Sequence, residues 1–379
     1  MAIWLILAAT AAYVGLLFLV AWQGDRMAAR TRRPVRPVVY ALALAVYCTS
    51  WTFYGAVGTA AGSGWDYLPI YLGPALVFIL APGLVRRIGD VAQRENVTSL
   101  SDFLAARYGK SRMLAAMATL AAVAGSLPYI ALQLKSVGMS FEALAAPPSG
   151  GRPALPVDTM LATALLLALF AILFGARNAD TTRRNAGLMR ALALESVVKL
   201  VALGAVCFLS LSLLGQTDAV RLAEARTHFD FGGPVGGFLT LTLLSMAAIL
   251  CLPRQFHVAV IERGRSDDVR TAAWLFPLYL ALTSIVVIPI TLAGAGILPG
   301  DVPPDLFVLA LPLNEGNTAL ALLVFLGGFS AATGMVIVSS VALSTMVTND
   351  LIVPTLMRFG RLNAAQRDIG TNLVRTRRA

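Results

Sequence analysis

Long apolar runs, separated by short arginine-rich polar stretches, dominate the 379-residue chain. Crossing the hydrocarbon core of a bilayer as a helix takes about 20 predominantly apolar residues. Nine segments meet that requirement: residues 2–22, 37–61, 66–85, 112–144, 157–175, 186–214, 234–260, 269–297 and 317–348. The pattern predicts an all-α polytopic membrane protein, one domain over residues 1–379. The first run has no basic residue ahead of it, continues to Trp22 and is followed by a basic loop. It therefore reads as a signal anchor, although Ala9-Thr10-Ala11 resembles a cleavage site.

Composition agrees with the pattern: 58% of residues are hydrophobic and 13% charged, where a soluble domain carries roughly 25% charge. An ordinary soluble enzyme is excluded. The net charge of +10 is distributed by loop. Arg26, Arg30, Arg32, Arg33 and Arg36 follow the first span, and Arg86, Arg87, Arg94, Arg107, Lys110 and Arg112 lie between the third and fourth. Arg177, Arg183, Arg184 and Arg190, then Arg254, Arg263, Arg265 and Arg270, fill the next two loops on that side, and Arg358 to Arg378 the tail. The opposite side holds only Arg152, Arg221 and Arg226. The positive-inside rule then places the N-terminus outside and the tail in the cytoplasm. No basic run is interleaved with aromatics, so a nucleic-acid partner is not expected. Cys48, Cys207 and Cys251 all fall within apolar runs, which leaves no disulfide framework. The basic tail 355–379 ends abruptly, as if before further helices.

Irregular backbone is tolerated at membrane depth only where it is buried in protein or lines a cavity. The second span contains Cys48-Thr49-Ser50-Trp51-Thr52 followed by Gly55 and Gly58. Hydroxyl side chains compete for backbone hydrogen bonds and glycine lowers helix propensity. The stretch predicts either a break that turns backbone groups towards a ligand or close packing through small residues. Gly125 and Pro128 predict a kink in the fourth span, with Tyr129 and Gln133 on one face. Lys135 is expected to snorkel outwards, and Glu195 and Lys199, four apart, to neutralise each other. Pro253 interrupts the seventh span, and Arg254, Gln255 and His257 after it are candidates for a cytoplasmic gate or coupling site. Ser330, Thr333, Ser340, Ser344 and Thr348 form a polar stripe on the ninth. No P-loop, H-E-x-x-H or G-x-S-x-G motif is present, so these residues offer no catalytic centre.

The run Trp51-Thr52-Phe53-Tyr54-Gly55-Ala56-Val57-Gly58-Thr59 resembles the first core helix of the sodium/solute symporter family. Asp305 to Pro312 leading into the ninth span, and Ser344 to Asp350, resemble the same family. Tyr47 to Gly55 and Leu252-Pro253-Arg254-Gln255-Phe256-His257-Val258 are similar to the symporter-like input domain of CbrA-type bacterial sensor histidine kinases. The resemblance implies a LeuT-type inverted-repeat bundle with one extra leading helix. It would be incomplete at residue 379, with further helices and a kinase module beyond. It implies a solute pocket lined by Cys48, Thr49, Ser50 and Trp51, by Tyr129 and Gln133, and by Met246 and Leu250. It also maps an ion site onto the carbonyls of Ala45, Cys48 and Ala331. The two hydroxyl positions of that site fall on Gly334 and Met335, which have none; Thr333 supplies one only if the register slips. A hard cation needs oxygen ligands, so weak sodium dependence is expected.

Two functions follow from the resemblance. The first is a transmembrane input domain that senses, and in some circumstances transports, an amino acid or similar small polar nutrient, with a downstream kinase and response regulator as partners. The alternative is a stand-alone solute symporter coupled to Na+ or H+. No other cofactor is expected.

Overall fold

The computed structural model describes residues 2–31, 35–145, 161, 165, 185–215, 219–227, 229 and 235–358. The described chain is helical, and apolar spans coincide with eight of the nine predicted segments. Five are single long helices and three are bent pairs. The predicted span 157–175 and the tail beyond residue 358 lie outside the described residues.

In order, the helices are α1 (Ile3–Thr31), α2 (Pro37–Ala43), α3 (Ala56–Ser63), α4 (Pro69–Leu80), α5 (Pro82–Arg94), α6 (Leu100–Arg107), α7 (Arg112–Ala145), α8 (Ala186–Leu214), α9 (Ala219–Thr227), α10 (Val235–Cys251), α11 (Pro253–Phe256), α12 (Asp268–Ile285), α13 (Val287–Ile297), α14 (Phe307–Asn314), α15 (Thr318–Met346) and α16 (Val353–Arg358). The predicted third span, 66–85, is too long. Its apolar helix stops at Leu80, because Pro82 cannot continue the α4 hydrogen-bond ladder and Ala81 leaves helical geometry (φ −127°, ψ 41°). The chain bends there by 78° into α5, which carries arginines on one face and buries Val85, Gly89 and Ala92 on the other. That amphipathicity suits a helix lying at the membrane surface.

α15 is the central post. Most of its strongest apolar window is buried (83%), against 11% for α7 and 22% for α1. Glycine, alanine and serine, frequent along Gly327–Ala332, allow α8 and α7 to pack closely against it. α8 in turn supports α1 and α2, while α4 packs on α10 and α12. Side chains on the outer faces, such as Leu120, Leu127, Phe208, Leu211 and Leu244, are exposed and apolar, as a lipid-facing surface requires.

Candidate functional site: two helix breaks and the cavity between them

The second predicted span does break. A short 3₁₀ turn (Leu44–Tyr47) ends α2, Cys48 is extended (φ −75°, ψ 102°), and a wide π-type turn (Trp51–Gly55) leads into α3 after a 75° bend. The sequence provides the cause. Thr52 donates its hydroxyl back to the Thr49 carbonyl (2.7 Å), which competes with the helical ladder. Helix α7 then supplies what the ladder loses. The backbone N–H of Ser50 and its hydroxyl both donate to Gln133 Oε1 (2.9 and 2.8 Å), and the Thr49 and Tyr129 hydroxyls share a 3.0 Å hydrogen bond. Tyr71 reaches from α4 to donate to the Thr52 carbonyl (2.8 Å).

On the other side of the break, Lys199 of α8 donates from Nζ to the carbonyls of Ala45 and Cys48, each at 3.0 Å. Lys199 is buried. An ammonium at hydrocarbon depth costs about 2.5–3.5 kcal/mol, and hydrogen bonds to a charged group return about 1.5–3 kcal/mol each. The two carbonyls at the break, that of Ala45 shared with the Cys48 N–H, are therefore enough to hold it. Glu195 and Lys199 form no direct ion pair within 4.0 Å, although each remains near enough to feel the other's charge. Instead Glu195 Oε1 accepts from Thr333 (2.9 Å), and Oε2, buried, has no hydrogen-bond partner among the described residues. One helical turn separates the two side chains along α8, and each is drawn to a different neighbour: Lys199 to the break, Glu195 to α15.

Among the described residues, most of the oxygens mapped for a sodium ion are already engaged or lacking. The Ala45 and Cys48 carbonyls serve Lys199, and the Thr333 hydroxyl serves Glu195. Gly334 and Met335 have no side-chain oxygen, and Ala331 is buried in α15. At Gly334 a Cβ would lie 2.3 Å from Glu195 Oε2, so the glycine is where the carboxylate fits.

The seventh predicted span breaks as well. Leu252, restricted by the proline after it, is extended (φ −73°, ψ 128°), and α10 and α11 meet at 54°. Arg254 and Gln255, on the first turn after the break, are buried. Arg254 does not join a polar mouth. Its guanidinium lies 4.9 Å from the centre of the Tyr129 ring, among the residues expected to bind solute. Its Nε has no hydrogen-bond partner among the described residues, and neither do Nε2 and Oε1 of the fully buried Gln255. Buried polar atoms are rarely left unpaired in a native structure. His257 faces elsewhere: its Nε2 is 3.3 Å from Glu262 Oε1, without hydrogen-bond geometry.

Between the two breaks lies a cavity of about 340 Å³. Tyr47 and Thr52 line it from the first break, Gly125, Ser126 and Tyr129 from α7, and Ser245, Ala248, Leu252 and Arg254 from the second, with Ile70, Leu241 and Leu244 at its apolar edge. Of the expected solute-binding residues, Tyr129 reaches this wall. Cys48, Thr49, Ser50 and Gln133 form the buried network behind it, and Met246 and Leu250 are half-buried among the core. The Trp51 indole folds back over its own helix, where a Cβ on Gly55 would lie 2.9 Å from Cδ1. Tyr47, Thr52, Ser126 and Ser245 are wall residues that the sequence pattern did not single out. Small polar side chains at helical spacing from Tyr129 and Leu252 were the available signal.

A third polar cluster ties the opposite ends of these helices together. Arg263, fully buried, donates to Asp90 Oδ1 (2.6 Å) and to the Arg86 carbonyl (3.1 Å) of α5. The Arg263 hydrogen bond holds the Asp90 carboxyl below its ordinary pKa. Glu262 accepts from the N–H and side-chain amide of Asn185 (2.7 and 3.0 Å). Asp350 accepts from Ser101 and Thr119.

Residues 31–147 match the sequence model described as the Sodium:solute symporter family. An uncharacterized symporter, YhjB, of Bacillus subtilis (strain 168), is 33% identical over 91 residues, which are 24% of this chain and 18% of that relative's length. Among solved structures, the substrate-bound outward-open state of a Na+-coupled sialic acid symporter matches with a TM-score of 0.66 at 14% identity, covering 98% of this chain and 77% of that one. That likeness establishes the fold, a LeuT-type helical bundle of the kind used by Na+-coupled symporters.

Proposed function

We propose that the chain is a symporter-like membrane domain that binds one small carboxylate-bearing solute between the two helix breaks and changes conformation around it. The observation that carries this reading is Arg254. It is a buried guanidinium on the cavity wall with an unpaired Nε, and no acidic side chain is among the residues lining the cavity. A charge at this depth is a functional feature by default, and a guanidinium suits a carboxylate in two-point geometry. Serine, threonine and tyrosine hydroxyls around it leave room for an ammonium or hydroxyl group on the same solute. The volume is at the small end of ligand pockets, which favours a solute of amino-acid size. In LeuT-type folds the breaks of paired helices are where solute binds and where the repeats rock.

Transport or binding assays in proteoliposomes, using matched acid and amide forms of small solutes, test the proposal. The acid should be recognised and its amide ignored, and Arg254→Gln should remove the distinction. Equal recognition of acid and amide by the unsubstituted protein overturns it.

A second reading, that solute occupancy is relayed to a downstream kinase, is supported by the two CbrA-like strings. Tyr47–Gly55 and Leu252–Val258 coincide with the two breaks, the parts of the fold that would move. In this reading, as in the first, the N-terminus lies outside the cytoplasm. Immunoblotting the native polypeptide with an antibody against residues 215–233 separates the readings: a product carrying a kinase's extra mass supports the relay, and one only a few helices longer supports a transporter.

A further inference from the structure

We propose that the Lys199 ammonium is a built-in substitute for a coupling cation at the first helix break, and that this site takes no sodium ion. The geometry has three independent parts. First, Nζ of Lys199 donates to the Ala45 and Cys48 carbonyls, each at 3.0 Å. Both carbonyls flank the interruption, and that of Ala45 also accepts the Cys48 N–H (3.0 Å), so the Lys199 nitrogen occupies the place at the break that a bound cation would need.

Second, the opposite wall has been remodelled to suit a fixed charge. Gly334 leaves space for the Glu195 carboxylate, since a Cβ there would approach Oε2 to 2.3 Å, and Met335 presents a thioether rather than an oxygen. Third, the Thr333 hydroxyl shares its proton between Glu195 Oε1 and the Ser330 carbonyl (2.9 and 3.1 Å). The Ser330 hydroxyl, which accepts from Tyr13 (2.7 Å), donates to the Glu195 carbonyl (3.1 Å).

A free sodium ion would have to displace the ammonium from both carbonyls and approach against its charge. The tethered cation supplies the same electrostatic clamp between the break and α8 permanently. The break is therefore tied to α8 without a bound sodium ion. This goes beyond the solute site at Arg254 and does not require it.

The test uses the purified full chain in lipid nanodiscs and the metal alone. Thermal unfolding is followed in sodium chloride and in choline chloride at matched ionic strength, for the unsubstituted protein and for Lys199→Met. The unsubstituted protein should melt cooperatively at the same temperature in both salts. Lys199→Met, which keeps the side chain's length and removes its donors, should melt several degrees lower because the Cys48 and Ala45 carbonyls lose their side-chain donor. A saturable sodium-specific rise in the unsubstituted protein's melting temperature overturns the proposal, as does a Lys199→Met protein as stable as its parent. Should Lys199→Met not accumulate in the membrane, that loss is the expected effect in its extreme form, and the salt comparison on the unsubstituted protein decides alone. No solute is present, so failure of the Arg254 reading would leave both arms unchanged.

Discussion

The two helix breaks differ in how their exposed groups are satisfied. At Cys48–Ser50 the protein completes itself: Gln133, Tyr129 and Lys199 pair with the amide, hydroxyl and carbonyl groups that the bend releases. At Leu252–Gln255 it does not, and the Arg254 Nε and both amide atoms of Gln255 are left without partners. Because an unsatisfied buried polar atom is costly, such atoms persist where something else is meant to pair with them. The backbone of the first break is thus largely self-liganded, although Glu195 Oε2 beside it is unpaired and Tyr47 and Thr52 line the cavity, and the second break supplies the charged recognition group.

The largest expected effect breaks the second element. Arg254→Gln should weaken binding of a carboxylate solute by about 30-fold or more, from the roughly 2–5 kcal/mol lost when one partner of a buried charged pair is removed. Titration in nanodiscs reads it, and the variant should still fold. Next, Gln133→Leu strips the first break of its acceptor. The Ser50 N–H loses its partner, which should destabilise the fold by about 1–3 kcal/mol. Thermal unfolding should show this while acid-over-amide preference survives, because Arg254 is untouched. If that preference vanished, the two breaks would not be separable.

Gly334→Ser should be of similar or smaller size. It forces atoms against Glu195 and should cost about 1–3 kcal/mol by overpacking, again read in thermal unfolding; a sodium response gained by this variant would show that the cation wall had been only lightly altered. The smallest effect lies outside the membrane. Asp90 is held below its ordinary pKa by Arg263, so its folded value is depressed relative to the unfolded chain. The stabilisation is present above the ordinary carboxylate range and is lost as pH falls through the depressed value. Since the Asp90 side chain is 36% exposed, solvent screens the pair and the contribution is small. Arg263→Gln should flatten the acid limb of the stability curve, measured by pH-dependent unfolding.

Much of the fold was legible in the hydropathy pattern. Runs such as 112–144 and 186–214 reappear nearly unchanged as α7 and α8, because apolar length is the property the bilayer selects. The breaks were legible too, as hydroxyl and glycine clustering around Cys48 and as a proline at residue 253. The roles of single charges were less so. Counting arginines assigned Arg254 to a cytoplasmic loop, whereas the bend at Leu252 carries it back over Tyr129. Lys199 and Glu195 have favourable i, i+4 spacing, yet each finds a better partner on another helix, which one-dimensional spacing cannot reveal. Trp51 looked like a wall of the pocket, but the wide turn at Trp51–Gly55 rotates its indole onto Gly55.

Hydrogen–deuterium exchange on both breaks in one sample tests the contrast most directly. Peptides covering residues 44–55 and 248–258 are followed with and without the carboxylated solute that most raises the melting temperature. Exchange should slow more in the 248–258 peptide than in the 44–55 peptide, where Gln133 already pairs the Ser50 amide. Protection confined to 44–55 would contradict the account and place recognition at the break assigned here to structure.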